Sequence, residues 1–398
     1  MNSDFNRIAV IGQGYVGLPL AIAALGVGFE VVGIDSDAGR VSKLSSGNSP
    51  VEDISSAEIS KALSNGYTVS SSISDVGGCE IVIFCLPTPL DKASKPDLGI
   101  LHGAIADASK HITAGTLVIV ESTIEPGAMR EKIKPLLDAG MAGKEFDLAY
   151  SPERIDPKNA KWNIANTPKL LAGLTSEAAN RAQAFYSKFV SEVKVFSSVE
   201  VVETAKLLEN SFRFVNISFI NEVSILCSKL GIDVLEVIEA ASSKPYGFMP
   251  FYPSAGVGGH CIPVDPMYLA DKANELGVPI KSIELAHEIN EAMPAYYVGR
   301  CVEILGNLTG KKILVIGLAY KSNVSDVREG ASEKLIGLLR KAGAVVSWHD
   351  EIVGAWNGEK STPISEAFDL AILVTIHDGV DLSKLGKVSV LNTFGGRK

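Results

Sequence analysis

The segment GVGGHCIPVDP, residues 256–266, sets one cysteine, Cys261, behind a run of glycines and ahead of two prolines that bracket Asp265. Glycine lets backbone come close to a neighbour, and proline holds a turn rigid. A thiol in so stiff a seat has the character of a nucleophile placed for covalent catalysis. Two other uses fit less well. His260 precedes Cys261, but adjacent residues of an extended chain point to opposite sides, so the two are not expected to meet as a hydrolase pair. A metal site built from His260, Cys261 and Asp265 lacks a second cluster of ligands, and no metal is expected. Cys79, Cys85, Cys227 and Cys301 stand in apolar stretches and are assigned to the core as inert thiols.

Two further patterns carry chemistry. Lys206, Asn210 and Arg213 are spaced by four and three residues, so on a helix they share one face. Leu207, Leu208, Phe212, Phe214, Val215 and Ile217 surround them. A polar stripe on so apolar a helix should meet a ligand or a partner's carboxylates. Near the N-terminus, Gly12, Gly14 and Gly17 form GxGxxG, enclosing Tyr15 and Val16. The first glycine allows the turn, the second lets a pyrophosphate approach the helix N-terminus, and the third lets helix and strand pack closely. Asp35 follows about 20 residues on, where an acid suits a ribose 2′-hydroxyl and repels a 2′-phosphate. NAD is therefore expected rather than NADP. Arg40 is placed either to cover the adenine or to stand as a solvated helix charge.

The elements that position these groups follow an α/β pattern. RIAVIGQGYVGLPLAIAALGVGFEVVGID, residues 7–35, reads as buried strand, turn, apolar helix and second strand. Further strands at 80–89, 116–127 and 146–157 run into polar residues and prolines. In open α/β sheets ligands lie beyond the carboxyl ends of strands, which puts Thr88, Thr123, Glu153 and Arg154 at the mouth of a site. Residues 199–230 contain neither proline nor glycine. Ser197 and Glu200 read as a capping box and Gly231 as a stop. Some 32 residues of helix span roughly 48 Å, long for one small domain and suited to a subunit interface. A second strand-helix pattern begins at KKILVIGLAYK, residues 311–321, with a helix at about 331–342 and strands in AVVSWHD and DLAILVT. It lacks GxGxxG and carries Lys321 and Arg328 in its turn, side chains able to contact phosphate. The fold expected is α/β: two Rossmann-like doubly wound domains joined by a long central helix and a helical dimerisation domain.

The bulk composition narrows the class. A chain of 398 residues holds two or three domains. At 46% hydrophobic and 21% charged it reads as an ordinary globular protein. A net charge of −9 argues against a general nucleic-acid or anionic-membrane binder. No apolar run approaches the ~20 residues of a membrane span, and the N-terminus runs into a strand without a secretory pattern. Five scattered cysteines without CxxC pairs suggest reduced thiols and a cytoplasmic setting.

The ordered set GQGYVGLPLA (12–21), LPTP (86–89), ESTIEPG (121–127), SPERIDP (151–157), KLLENSFRFVN (206–216), GGHCIPVDP (258–266) and GLAYKSNVSDVRE (317–329) resembles the UDP-glucose/GDP-mannose dehydrogenase family over nearly the whole chain. SPER, GGHCIP and IELAHEINEAMP (283–294) are most similar to its UDP-N-acetylglucosamine branch, with the N-acetylmannosamine and N-acetylgalactosamine branches close by. The resemblance implies an NAD-binding domain over 1–196, a helical dimerisation domain with the cysteine loop over 197–297, and a UDP-sugar-binding domain over 298–398. It implies a homodimer through the central helix. It implies Cys261 as nucleophile with Lys206, Asn210 and Asp265 as companions, and Thr123 and Glu153 as water- and proton-handling groups. Gly12, Gly14, Tyr15, Val16, Gly17, Asp35, Arg40, Thr88, Thr123 and Arg328 fall at cofactor positions. Glu153, Arg154, Lys206, Asn210, Arg213, Phe251, Tyr252, Pro253, Gly258 and Lys321 fall at substrate positions. Three features depart from the pattern: Lys158 where glycine is usual, YPSAGVGG (252–259) in place of PGPGVGG, and Pro157 where UDP-glucose enzymes tend to carry a second glutamate. The last argues against plain UDP-glucose.

The chemistry so implied is the oxidation of a primary alcohol to an acid by two hydride removals. A thiolate would trap the intermediate aldehyde as a thiohemiacetal, which gives up the second hydride and becomes a thioester for water to cleave. Lys206 and Asn210 would hold the oxyanion, Asp265 would orient Lys206 or a water, and Glu153 or a water on Thr123 would take the first proton. Two other readings remain at the level of sequence. A two-electron hydroxyacid dehydrogenase with a helix lysine needs no nucleophilic thiol, and a nucleotide-sugar sensor needs no turnover. The sugar's epimer and 2-substituent are not fixed by the sequence.

Overall fold

The structure, a computed structural model, describes residues 7–51, 53–155, 159 and 161–395. Pro157 and Lys158 lie outside the described residues. The chain forms two compact units, Met1–Leu208 and Glu209–Lys398.

In the first unit the order is β1 (Arg7–Ile11), α1 (Gly17–Gly26), β2 (Glu30–Ile34), α2 (Ala38–Ser45), α3 (Ser56–Ser64), β3 (Tyr67–Ser70), β4 (Ile81–Phe84), α4 (Gly99–Ser109), β5 (Leu117–Val120), α5 (Lys134–Met141), β6 (Asp147–Tyr150), β7 (Lys169–Gly173), α6 (Ser176–Tyr186) and β8 (Val193–Val195). The eight strands form one sheet in the order β3-β2-β1-β4-β5-β6-β7-β8. Only the β6–β7 pairing is antiparallel. IVIF in β4 and LVIV in β5 are buried at every residue, as expected where helices cover both faces of a parallel sheet. The strand order reverses between β1 and β4, so their carboxyl ends, at Gly12 and Cys85, flank the switch point where such sheets bind ligands.

Helix α7 (Val199–Leu230) begins in the first unit and ends in the second. Its span is the one that the absence of proline and glycine foretells. The cap differs by one residue. Ser198 Oγ, not Ser197, accepts from Val201 N at 3.4 Å, because the helix starts at Val199 and the N-cap is the residue just before it. Glu200 closes no capping box. It ion-pairs with Arg130 Nε at 2.6 Å. At the other end Gly231 takes φ +72°, and Ile232 N donates to Cys227 O at 3.1 Å, a glycine-terminated helix end.

The second unit continues with α8 (Val234–Ser242), α9 (Asp265–Glu275), α10 (Lys281–Leu305), β9 (Lys312–Ile316), α11 (Ala331–Lys341), β10 (Val345–His349), the short hairpin β11 (Ala355–Trp356) and β12 (Glu359–Lys360), β13 (Leu370–Leu373) and β14 (Ser389–Asn392). Strands β10-β9-β13-β14 form a parallel four-stranded sheet. Helix α10 runs straight through Pro294, at a cost of about 3 kcal/mol for an interior proline. The reason is packing: Met293, Tyr297 and Cys301 repeat every fourth residue and are buried against Ile313, Val315, Leu335 and Leu339. Each such side chain returns about 1.5–3 kcal/mol on burial.

Candidate active site

The first unit carries a dinucleotide cradle after β1. Gly12 has φ +94°, and a Cβ there would stand 2.3 Å from Cys85 O. A Cβ on Gly17 would stand 1.9 Å from Gly12 O. Both glycines are thus demanded by the fold of the turn. Gly14 is different, with nothing within 4 Å of its Cβ position. Helix α1 follows without a side-chain cap and without an acid in its first turn, so its leading N–H groups find no side-chain acceptor. Tyr15 and Val16 are half-buried beside it. Asp35 ends β2 at 5% exposure. Its Oδ2 accepts from Gln13 N at 2.8 Å and Arg40 Nη1 at 2.9 Å, and its Oδ1 from Asp37 N at 2.9 Å. An open glycine, an unanswered helix N-terminus and a fixed carboxylate at the end of β2 fit the pyrophosphate and ribose of NAD. Gln13, which the glycine spacing does not mark, is fully buried and accepts from Tyr67 Oη at 2.7 Å.

Beyond the carboxyl ends of β4, β5 and β6 stand Thr88, Thr123 and Glu153, the first two half-buried. Ser122 Oγ accepts from Leu86 N at 2.9 Å and ties the first two loops together. Glu203, one helical turn before Lys206, accepts from Gly127 N at 2.6 Å and Met129 N at 2.9 Å, which fastens the start of α7 to the loop carrying Thr123. Burial pushes the Glu203 carboxyl up to about 7, against those two donors. Glu153 Oε1 accepts from Arg154 N and Ile155 N, both at 2.6 Å, and Arg154 Nη1 donates to Pro168 O at 2.7 Å. Lys169 Nζ lies 2.9 Å from Glu121 Oε2 and 3.6 Å from Glu153 Oε2. The pocket of about 10 Å³ lined by Glu153, Arg154, Thr167 and Lys169 is far too small for a sugar or a nucleotide. Glu121, Lys169 and Glu203 were not singled out from the sequence. A lysine opening the apolar strand KLLAG was the available signal.

In the second unit the cysteine loop answers what its glycines approach. A Cβ on Gly258 would stand 2.8 Å from Tyr320 Cβ, and one on Gly259, at φ +89°, would stand 2.7 Å from the Tyr320 ring. Gly259 N donates to Arg328 O at 3.1 Å. Two helix asparagines hold the loop: Asn221 Oδ1 accepts from Ser254 N at 2.8 Å, and Asn290 Oδ1 accepts from Val257 N at 2.6 Å. Cys261 O accepts from Asp265 N at 2.8 Å. Asp265 opens α9 at 2% exposure and accepts from Asn210 Nδ2 at 2.6 Å. Lys206 and Asn210 are each 8% exposed, whereas Arg213 is exposed. Phe251 packs edge-on against Phe212, Pro253 is buried, and Tyr252 is exposed.

One expectation is overturned here. Cys261 Sγ lies 3.0 Å from His260 Nδ1. Residues 259–264 bend and turn and are not extended, so successive side chains are not forced to opposite sides, and thiol and imidazole meet.

The turn after β9 carries Lys321, half-buried. It is pinned from below by two residues that the motifs did not reveal. Asp350 Oδ2 accepts from Leu318 N at 2.8 Å and Ala319 N at 3.1 Å, and its Oδ1 is 2.9 Å from His377 Nε2. His377 Nδ1 accepts from Asn323 N at 2.8 Å, so the ring proton sits on Nε2 and faces Asp350. Burial would raise the Asp350 carboxyl, but His377 and the N–H groups of Val353, Ala319 and Leu318 hold it well below the usual carboxylate range. Arg328 grips Asp326, with Nη2 to Oδ2 at 2.6 Å.

A cradle fitted to NAD on one unit, and a seated thiol with a pinned basic turn on the other, are the parts of a dinucleotide-dependent dehydrogenase. Three family models, all described as UDP-glucose/GDP-mannose dehydrogenase family, match in order: the NAD binding domain at residues 6–190, the central domain at 200–292 and the UDP binding domain at 314–391. The UDP-N-acetyl-D-glucosamine 6-dehydrogenase of Pseudomonas aeruginosa is 34% identical over 96% of this chain and 94% of its own. The UDP-N-acetyl-D-mannosamine dehydrogenase of Pyrococcus horikoshii is also 34% identical, over 96% of this chain and 92% of its own. The solved UDP-glucose dehydrogenase of Pyrobaculum islandicum superposes with a TM-score of 0.91 at 26% identity, covering 99% of this chain and 95% of that one. This chain belongs to the UDP-glucose/GDP-mannose dehydrogenase family and is an NAD-dependent UDP-sugar dehydrogenase. Among the described residues no helix is long and apolar enough to cross a membrane.

Proposed function

We propose that this enzyme oxidises the C6 alcohol of UDP-N-acetylglucosamine to the carboxylate, holding the intermediate on Cys261. The observation that carries the covalent route is the Cys261 thiol on its glycine turn, with His260 Nδ1 at 3.0 Å to receive its proton. NAD, when bound, supplies the acceptor for each of two hydrides. Glu153, or a water on Thr123, takes the hydroxyl proton as the first hydride leaves C6. Cys261 Sγ then adds to the aldehyde carbon while its proton passes to His260. Lys206 holds the resulting oxyanion, with Asn210 as a second donor oriented by Asp265. Loss of the second hydride leaves a thioester. Water adds to it, the C–S bond breaks, and the thiolate is restored. Alcohol, two NAD and one water thus become carboxylate, two NADH and three protons. Gly12, Gly14, Tyr15, Val16, Gly17, Asp35, Arg40, Thr88 and Arg328 are assigned to the cofactor, and Arg154, Arg213, Phe251, Tyr252, Pro253, Gly258 and Lys321 to the substrate. Residues 1–196, 197–297 and 298–398 are assigned as NAD-binding, dimerisation and UDP-sugar-binding parts.

The resemblance of SPER and GGHCIP to the N-acetylglucosamine branch supports that sugar. The equal identity to an N-acetylmannosamine enzyme supports the second reading, the same chemistry on that epimer. We also assign a homodimer through α7 and a cytoplasmic location, since a nucleophile that must stay reduced belongs in a reducing compartment. The deciding assay mixes protein, NAD and the UDP forms of glucose, N-acetylglucosamine, N-acetylgalactosamine and N-acetylmannosamine, and counts NADH per sugar consumed. Two NADH with N-acetylglucosamine, and a stall in Cys261→Ser, are expected. One NADH per sugar would remove the thioester route, and a higher kcat/KM for another sugar would replace the substrate.

A further inference from the structure

Lys169 opens β7 at 6% exposure in a strand otherwise built for the sheet core. A buried ammonium costs several kcal/mol unless it is paired. Glu121, at the carboxyl end of β5, supplies the pair at 2.9 Å, and the Tyr186 ring of α6 lies 4.9 Å beneath the ammonium. Tyr186 Oη in turn donates to Glu121 Oε1 at 2.5 Å. That triad already satisfies the lysine. The second carboxylate, Glu153 Oε2 at 3.6 Å, is more than stability requires, and it leaves two carboxylates around one ammonium.

We propose that Lys169 is a positioning residue: its ammonium, clamped by Glu121 and Tyr186, orients Glu153 beyond the end of β6 to receive the substrate proton. The inference rests on the reading of Glu153 as a proton- or water-handling group. Glu153 Oε1 is held by the N–H groups of Arg154 and Ile155, while its buried Oε2 makes no hydrogen bond among the described residues and faces the Lys169 ammonium at ion-pair distance, 3.6 Å. The charged and titratable groups around Lys169 are Glu121 from β5, Glu153 and Arg154 from the loop after β6, Tyr186 from α6 and Cys85 from the end of β4. Burial pushes the Glu121 carboxyl up to about 7, with Lys169 acting against it and Glu153 with it. Burial pulls the ammonium down, but the two carboxylates outweigh it, and its net shift is upward. As pH falls through about 7, Glu121 takes up a proton and leaves the ammonium wholly to Glu153.

The test measures kcat, KM and the acid limb of the kcat–pH profile for Lys169→Met, Glu121→Gln and Glu153→Gln. Circular dichroism and NADH affinity serve as controls for folding. Lys169→Met should lower kcat by about 10- to 100-fold, less than a general base is worth, with KM within about threefold. Its acid limb should move to higher pH. Glu121→Gln leaves Lys169 to Glu153, as protonated Glu121 already does in the wild type at acid pH, so its acid limb should stay near the wild-type one. A limb that moves in Lys169→Met and not in Glu121→Gln is not what a merely structural cluster would give. A limb that stays put in Lys169→Met, or moves up in both variants, overturns the proposal. Should Lys169→Met not fold, Glu121→Gln decides alone, and a limb that moves up overturns it. If Glu153→Gln keeps the full kcat, the underlying reading of Glu153 has failed. If it is slow while Lys169→Met leaves the limb unmoved, only the role of Lys169 has failed.

Discussion

His260 and Cys261 touch because the chain turns between them, and the contact has a reactivity consequence. A thiol beside an imidazole ionises more readily than one in apolar surroundings. Burial pushes the Cys301 thiol up to about 12 and raises Cys85 well above its ordinary value. Iodoacetamide near neutral pH should therefore label Cys261 first, as read by peptide mass spectrometry. His260→Asn should slow that labelling between pH 6 and 8 and move its pH midpoint upward. Equal rates across that range in the two proteins would remove His260 from the chemistry.

The glycines of the turn after β1 do two jobs. Gly17→Ala forces a Cβ to within 1.9 Å of Gly12 O, so it should lower the melting temperature with or without NAD. Gly14→Ala meets no protein atom. Its melting temperature without ligand should stay near wild type while NAD affinity, measured by calorimetry, falls; intact affinity would move the pyrophosphate away from Gly14. Glu203 supplies a pH prediction for the start of α7. Burial pushes its carboxyl up to about 7 in the fold, from the ordinary 4.5 of the unfolded chain. Between those values the folded state holds a proton that the unfolded state has lost, so this group's contribution to stability falls as pH rises and is lowest above about 7. Glu203→Gln should remove an effect of about 1–3 kcal/mol and flatten the change in melting temperature between pH 5 and 8. An unchanged slope would assign that titration elsewhere. Asp350 works in the opposite direction, since a carboxyl held low in the fold loses its stabilising effect only as pH drops below its unfolded value of 3.8.

At the scale of the whole molecule, α7 leaves a row of large apolar side chains in water. Leu208, Phe212, Phe219, Leu226 and Leu230 are between 46% and 63% exposed. Their steps of four and seven residues keep them on one face of the helix. An unbroken apolar stripe on a long helix is the kind of surface that a second copy covers. If α7 forms the proposed dimer, Phe219→Glu with Leu226→Glu should leave only monomer, as measured by light scattering. A wild-type protein that is monomeric at micromolar concentration would end the dimer assignment.

The sequence by itself determined what nearest neighbours along the chain decide. GxGxxG between strand and helix, Asp35 at the end of β2, the full extent of α7 and the second Rossmann-like half were all legible, because spacing, periodicity and chain punctuation act within a few residues. Tertiary structure alone decided the groups whose partners lie far away. Lys169 meets Glu121 across 48 positions, Asn210 meets Asp265 across 55, and His377 meets Asp350 across 27. Even the adjacent pair His260 and Cys261 belongs with these. The bend that joins them is held by Tyr320, Asn290 and Arg328, packed from distant parts of the chain, and a backbone conformation set by such packing leaves no local pattern to read.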